Sequence, residues 1–179
     1  MAEPSSSSRP PGLRTVLPPS SSSSSSQYGA AAQRYPIRVT VRRGDIFRRF
    51  TQIHFVKMNP FVEVFIGSQP AGTVPPASGA DQEPTWNCSL PLQDFEIGEE
   101  LQLKVWDKNI WPRKDVHIGT GFLRLSTDIM ASCDRRTSEQ TVKLFKKHEG
   151  EKPEHTGNIQ VSLSFPAKSA SGRLDDQLQ

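Results

Sequence analysis

A period of two runs through the middle of this chain. Ile37, Val39 and Val41 alternate with polar residues; so do Leu101, Leu103 and Val105, followed by Trp106, and again Ile159, Val161, Leu163 and Phe165. Successive side chains of an extended strand point to opposite faces, so this alternation predicts strands with one face buried and one wet, as in antiparallel sheets. Further strand-like runs are PFVEVFI (60–66), WNCSLPL (86–92), IGTGFLRL (118–125) and TVKLF (141–145), with a weaker one near Gly72 to Val74. Eight strands are therefore expected. The best helical signal is a short turn at TDIMASC (127–133), with Thr127 as its cap. Short strands separated by Gly- and Pro-rich turns predict an all-β, eight-stranded antiparallel β-sandwich.

Composition sets the limits of that sandwich. Residues 1–35 are mostly Ser, Pro, Ala and Gly, including seven consecutive serines at 20–26, and cannot bury enough apolar surface to offset their ordering entropy. They read as a disordered tail, as do the polar residues 167–179, and 36–166 remain as one domain of ordinary size. No run of about 18 apolar residues offers a membrane span. The N-terminus lacks the apolar stretch of a secretory signal, and Ala2 rules out myristoylation. Cys88 and Cys133 are too few for a disulfide framework and lack metal-site spacing, so both read as reduced thiols of a cytoplasmic protein.

The segment VWDKNIWPRKDVHIG (105–119) is unusual for a connection between strands. It holds Asp107, Asn109 and Asp115, a bare Ile110-Trp111-Pro112 tip, and the basic pair Arg113 and Lys114. A solvated loop has no need of a tryptophan at its tip, which points to something outside the domain.

NPFVEVFIG (59–67), PTWNCSLPL (84–92), LQLKVWDKN (101–109), DVHIGTGFLRL (115–125) and GNIQVSLSF (157–165) together resemble the successive signatures of the C2 domain, the calcium- and phospholipid-binding β-sandwich. The resemblance covers essentially all of 36–166 and implies a Greek-key sandwich. The strand resembling GNIQVSLSF comes last, as in the type II permutation. Connections of an antiparallel sandwich tend to alternate between its ends, so the first, third and fifth (roughly 42–59, 76–85 and 107–115) should share one end, which the family uses for calcium and membrane. The first carries Arg42, Arg43, Arg48, Arg49 and Lys57 against Asp45, a net charge of +4, whereas QDFEIGEE (93–100), at the opposite end, holds four acids and no base. The domain as a whole is nearly neutral, with 17 Lys and Arg against 16 Asp and Glu in 36–166, so any electrostatic preference must come from this distribution.

The resemblance also implies where calcium would bind. Its first-loop carboxylate falls on Asn59, and the third-loop positions fall on Asp107, Asn109 and Asp115, so two carboxylates and two amides stand where calcium binders carry about five acids. Affinity follows ligand charge, so calcium is expected to be weak or absent and no other cofactor is indicated. The alternative for Asp107 and Asp115 is structural, with the carboxylates accepting loop N–H groups or pairing with Lys108, Arg113 or Lys114.

Without calcium, the loop tips must engage the membrane themselves. Ile110, Trp111, Arg113 and Lys114 of one loop, with Arg48, Arg49 and Phe50 of the other, form the candidate docking set. Phe47, Phe55 and Met58 add to the apolar share of the first loop. Burying Ile110 and Trp111 would give roughly 4 kcal/mol, and three or four basic residues near anionic lipid about 1 kcal/mol each. After ordering costs this is weak, reversible attachment of a peripheral protein to an anionic phospholipid surface. An acidic protein surface is the alternative partner for the same loops. No catalytic arrangement stands out among His54, His117, His148 and His155, and no phosphate-cradling loop or small-molecule substrate is suggested. Nucleic acid is not expected either, since stacking platforms need aromatic and basic residues interleaved across a sheet face.

Overall fold

The computed structural model describes residues 34–51, 55–110, 112–135 and 137–165, so the tails expected to be disordered lie outside the described residues except for Arg34 and Tyr35, which already pair with β4 residues Glu96 and Phe95 as the start of β1. Among these residues, the strands are β1 (Arg34–Ile46), β2 (Pro60–Ile66), β3 (Gln69–Val74), β4 (Thr85–Glu96), β5 (Glu100–Asp107), β6 (Val116–Arg124), β7 (Ser138–Lys146) and β8 (Glu154–Ser164), with one helix, α1 (Thr127–Arg135), between β6 and β7. Every strand pair is antiparallel, and the order across the sheet is β3-β2-β5-β6-β7-β8-β1-β4.

The expected two-layer sandwich is built from one sheet folded on itself. Its halves, β3-β2-β5-β6 and β7-β8-β1-β4, join along β6 and β7 through a single bridge, Thr120 opposite Phe145. Glycine permits the close approach at that seam. A Cβ at Gly121 would stand 2.6 Å from the Val142 Cγ1 and 2.9 Å from the Lys143 carbonyl oxygen. The alternating residues then meet inside: Ile37, Val39 and Val41 of β1, Val62 and Val64 of β2, Leu101, Leu103 and Val105 of β5, and Ile159, Val161 and Leu163 of β8 are all buried. Burial of this apolar set, at about 25 cal/mol per Å², is what drives the two halves together.

Three differences from the sequence expectation bear on the connections. β4 runs on to Glu96, because Phe95 is fully buried and pairs opposite Tyr35. The acidic run read as a loop from 93 to 100 is therefore mostly strand, and the connection shrinks to 97–99. β1 likewise continues to Ile46, with Asp45 opposite Asn158, which removes Arg42 and Arg43 from the first connection. The helix is capped by Ser126 rather than Thr127: the Ile129 N–H donates to the Ser126 hydroxyl (3.4 Å) and Thr127 is already helical. Among the described residues no helix is long and apolar enough to cross a membrane.

Candidate functional site

Connections 47–59, 75–84 and 108–115 do share one end of the sandwich, and the reason lies in a node of side chains beneath them. Asp107 is the last residue of β5 and only 2% exposed. Its Oδ1 accepts the Asn59 N–H (2.8 Å), while the Asn59 carbonyl accepts the Lys108 N–H (3.0 Å). The Asn59 amide reaches both ways, its Oδ1 accepting the Gly79 N–H (2.8 Å) and its Nδ2 donating to the Lys108 carbonyl (3.4 Å). One side chain thus links all three connections. Trp86 closes the base of the node, its indole N–H donating to the Pro60 carbonyl (2.9 Å).

Each acid of the node serves a protein donor. Asp115 Oδ1 accepts the Asn109 N–H (2.9 Å), its Oδ2 receives the Lys108 ammonium (2.9 Å), and the Asn109 Nδ2 donates to the Lys114 carbonyl (2.9 Å). Burial alone would raise the Asp115 carboxyl, but the Asn109 N–H and the Lys108 charge outweigh it and hold it below the usual range. Asp107 moves the opposite way. Its burial outweighs the Asn59 hydrogen bond, and the nearby charges of Asp115 and Asp81 push it further up.

Asp81 was absent from the sequence-derived site. It sits in the 75–84 connection with φ 56°, a left-handed conformation that Asp tolerates better than most residues, and its carboxylate pairs with Arg49 and accepts the Met58 N–H (3.4 Å). An acid in a tight loop of the third connection was the available signal. Among the described residues, no group of three or more His, Cys, Asp or Glu side chains is arranged to hold a metal ion.

The first connection divides into an anchored half and an exposed half. Arg48 pairs with Glu154 (2.7 Å), and its guanidinium lies 5.0 Å from the centroid of Phe50. The Lys146 ammonium stands over the same ring at 4.9 Å, and Phe50 packs half-buried against the core, so neither Phe50 nor the paired Arg48 and Arg49 stands free at the tip as expected. Met58 is fully buried, its sulfur accepting the Phe50 N–H (3.3 Å), which corrects its assignment to an exposed boundary. Arg42 and Arg43 lie on β1, the first against Glu139 (3.3 Å) and the second donating to Gln160 (2.9 Å). What remains outward is Phe55, 97% exposed, with Val56 and Lys57 at the tip, and Phe47, 48% exposed, at the base beside β1.

The 108–115 connection presents Ile110, 87% exposed, with Arg113 and Lys114 beside it and a turn closed by the Arg113 N–H on the Ile110 carbonyl (3.1 Å). Trp111 lies outside the described residues. Lys57, Arg113 and Lys114 form no ion pair among the described residues.

The flank formed by β1 and the 75–84 connection differs in charge. A shallow concavity of about 500 Å³ is lined there by Asp45, Asp81 and Glu83 with Phe47 and Gln82. On the outer face of β2 and β5, Lys104 stands 4.2 Å over Phe65, and Trp106 donates to the Glu63 carboxylate (2.9 Å).

The fold and its ordering of motifs place the chain in a known family. The C2 domain model matches residues 37–144, more than half of the chain, and the chain belongs to the C2 domain family. That is a family of modules that bind lipid, calcium or protein partners. Solved structures agree in fold. The C2A domain of plant extended synaptotagmin 1 superposes with a TM-score of 0.57 at 17% identity, covering 73% of this chain and 93% of that one. A C2 domain-containing protein gives 0.56 at 22% identity, covering 80% and 98%. The calcium-bound C2A and C2B domains of extended synaptotagmin 2 give 0.54 at 15% identity, covering 73% of this chain and 45% of that two-domain chain. No curated protein matches this chain by sequence.

Proposed function

We propose that this C2 domain is a non-catalytic module that docks reversibly on anionic phospholipid membranes through the tips of its first and fifth connections, with calcium weak or not required. The observation that carries the reading is the pair of bare apolar side chains, Phe55 and Ile110, held at one end by the Asn59–Asp107 node and flanked by Lys57, Arg113 and Lys114. A soluble domain gains nothing from two such side chains in water, whereas a headgroup layer rewards both the apolar tips and the positive charge beside them. Cytoplasmic location and peripheral association follow from this reading.

The donor set fits calcium poorly. Asp115 is held by Lys108 and Asn109, Asp81 by Arg49 and the Met58 N–H, and the Asn59 amide oxygen is occupied by Gly79. A calcium ion needs six to eight oxygens with several carboxylates among them, and would have to displace these donors one by one.

The test is co-sedimentation of the full chain with phosphatidylcholine vesicles and with phosphatidylserine-containing vesicles, in calcium and in chelator. Binding to the anionic vesicles alone, unchanged by chelator, is the expected result. Binding that requires calcium would overturn the calcium-independent part. No binding to either vesicle would leave the same loop end as a surface for an acidic protein partner.

A further inference from the structure

One rung below the loops, the outer surface of the sandwich carries an aromatic side chain on strand after strand. Phe61 follows the first residue of β2, Trp106 precedes the last of β5, His117 is second in β6, Phe145 is next to last in β7, His155 is second in β8, and Phe47 directly follows β1. The register puts them side by side. Phe61 is opposite Trp106, Trp106 opposite His117, and Phe145 opposite His155. The rings touch in the same order: Trp106 and His117 lie 4.8 Å apart, Phe145 and His155 stack at 5.1 Å, and Phe47 meets His155 edge-on at 4.8 Å. Between His117 and Phe145 the Lys146 ammonium bridges the gap by donating to the His117 carbonyl (2.7 Å).

None of this is required by the core. These positions face away from the buried set, and Phe47 and Phe145 remain 48% and 41% exposed. The girdle breaks where β4 begins, since Trp86 turns inward and Asp45, Asp81 and Glu83 occupy that flank instead.

We infer that this girdle is an interfacial belt: when the loop tips enter an anionic phospholipid bilayer, Phe61, Trp106, Phe145 and Phe47 rest at the headgroup level and the domain leans away from its acidic flank. The inference rests on the membrane reading above and adds the depth and tilt of docking. Two arguments support it. Aromatic rings favour the boundary between headgroups and water, because they pair a large apolar body with a polarised edge. The dimensions are compatible: Ile110 lies four residues past Trp106 and so rises at most about 13 Å above it, and less wherever the connection is not fully extended, while the headgroup layer of one leaflet is about 5–8 Å thick. With Ile110 at the acyl boundary, the girdle falls at the outer edge of the headgroups. The charges beside the rings are largely balanced, Lys108 over Phe61 being paired with Asp115 and Arg48 with Glu154, whereas the flank of Asp45 and Glu83 is acidic and repelled by an anionic layer.

The experiment compares two surface substitutions of the same chemistry in the full chain. Phe47→Ser with Phe145→Ser removes two exposed rings of the girdle; Phe122→Ser removes a ring that is 52% exposed near the opposite end of β6, opposite Gln102. Binding to phosphatidylserine-containing vesicles should weaken about tenfold in the first variant and stay unchanged in the second. Asp45→Asn with Glu83→Gln should strengthen binding. The inference is overturned if the girdle variant binds as the parent does while Ile110→Ser does not, or if Phe122→Ser weakens binding equally. Failure of the parent chain to bind these vesicles at all would instead sink the membrane reading and this inference with it.

Discussion

The two ends of this sandwich hold themselves together by different means. At the end formed by 67–68, 97–99 and the start of α1, the connections are short and closed mainly by backbone: the Gly67 N–H donates to the Glu100 carbonyl (2.9 Å), Gly98 to Leu125 (2.9 Å) and Leu125 back to Glu99 (3.1 Å), and the side-chain bonds there, Glu99 accepting the Glu96 N–H (2.9 Å) and Ser126 capping α1, are local in sequence. Gly67 and Gly98 adopt φ 56° and 96°, which lets the turns be this tight. At the other end the connections are long, and side chains hold their bases: Asn59, Asp81 and Asp107 each link segments distant in sequence, and Asp115 closes its own connection through Asn109 and Lys108. Long loops cost ordering entropy. A node that fixes their bases and leaves Phe55 and Ile110 bare concentrates that cost where contact with another surface can offset it.

If the contrast is real, substitutions at the two ends must separate cleanly. The largest effect belongs to Phe55→Ser with Ile110→Ser, which should lower affinity for phosphatidylserine-containing vesicles by at least a hundredfold, since each ring or branched chain is worth roughly 2 kcal/mol, while leaving the denaturation midpoint unchanged. Ile97→Ser, at the far end and 44% exposed, should change neither quantity.

Next is Asp107→Ala, which leaves the buried Asn59 N–H without an acceptor and should destabilise the domain by about 1–3 kcal/mol in urea unfolding. Asp107→Asn sharpens the same point through pH. Because burial raises the Asp107 carboxyl in the fold, its charged form is disfavoured there, and its cost to stability is present above the folded pKa and relieved as pH falls through it. The Asn variant should therefore be at least as stable as the parent at neutral pH, with the difference shrinking on acidification. Asp115 has the opposite sign. Its lowered carboxyl stabilises the fold above the unfolded value, near 3.8, and that contribution is lost on acidification below it. The smallest effect is that of Arg113→Ala or Lys114→Ala, each expected to weaken vesicle binding about fivefold and to lose that effect at high salt.

The strand framework was legible in the sequence because burial of one strand face writes a period of two. PFVEVFI coincides with β2 from Pro60 to Ile66, and the order of the signature motifs identified the family. The loop end was legible only in outline. Alternation of connections placed roughly 42–59, 76–85 and 107–115 together, but composition could not tell an arginine on a loop tip from one held by a carboxylate, as Arg48 is by Glu154 and Arg49 by Asp81. Met58 illustrates the same limit: a methionine among arginines reads as loop surface, yet it fills the core beneath Phe50. The girdle is not legible in the sequence because its members are spread over five strands and the residue that follows β1, and only the register brings Phe145 beside His155 and Phe61 beside Trp106.

The most direct test of the central claim is to see which end enters a bilayer. A nitroxide at Ile110→Cys and another at Ile97→Cys, each in the full chain carrying Cys88→Ser and Cys133→Ser, can be read for collision with oxygen dissolved in lipid and with a water-soluble relaxant. On phosphatidylserine-containing vesicles in chelator, the label at 110 should gain exposure to oxygen and lose exposure to the relaxant, while the label at 97 stays in water. Vesicle-bound protein with the label at 110 still in water, or with the label at 97 in lipid, would contradict docking through the loop end.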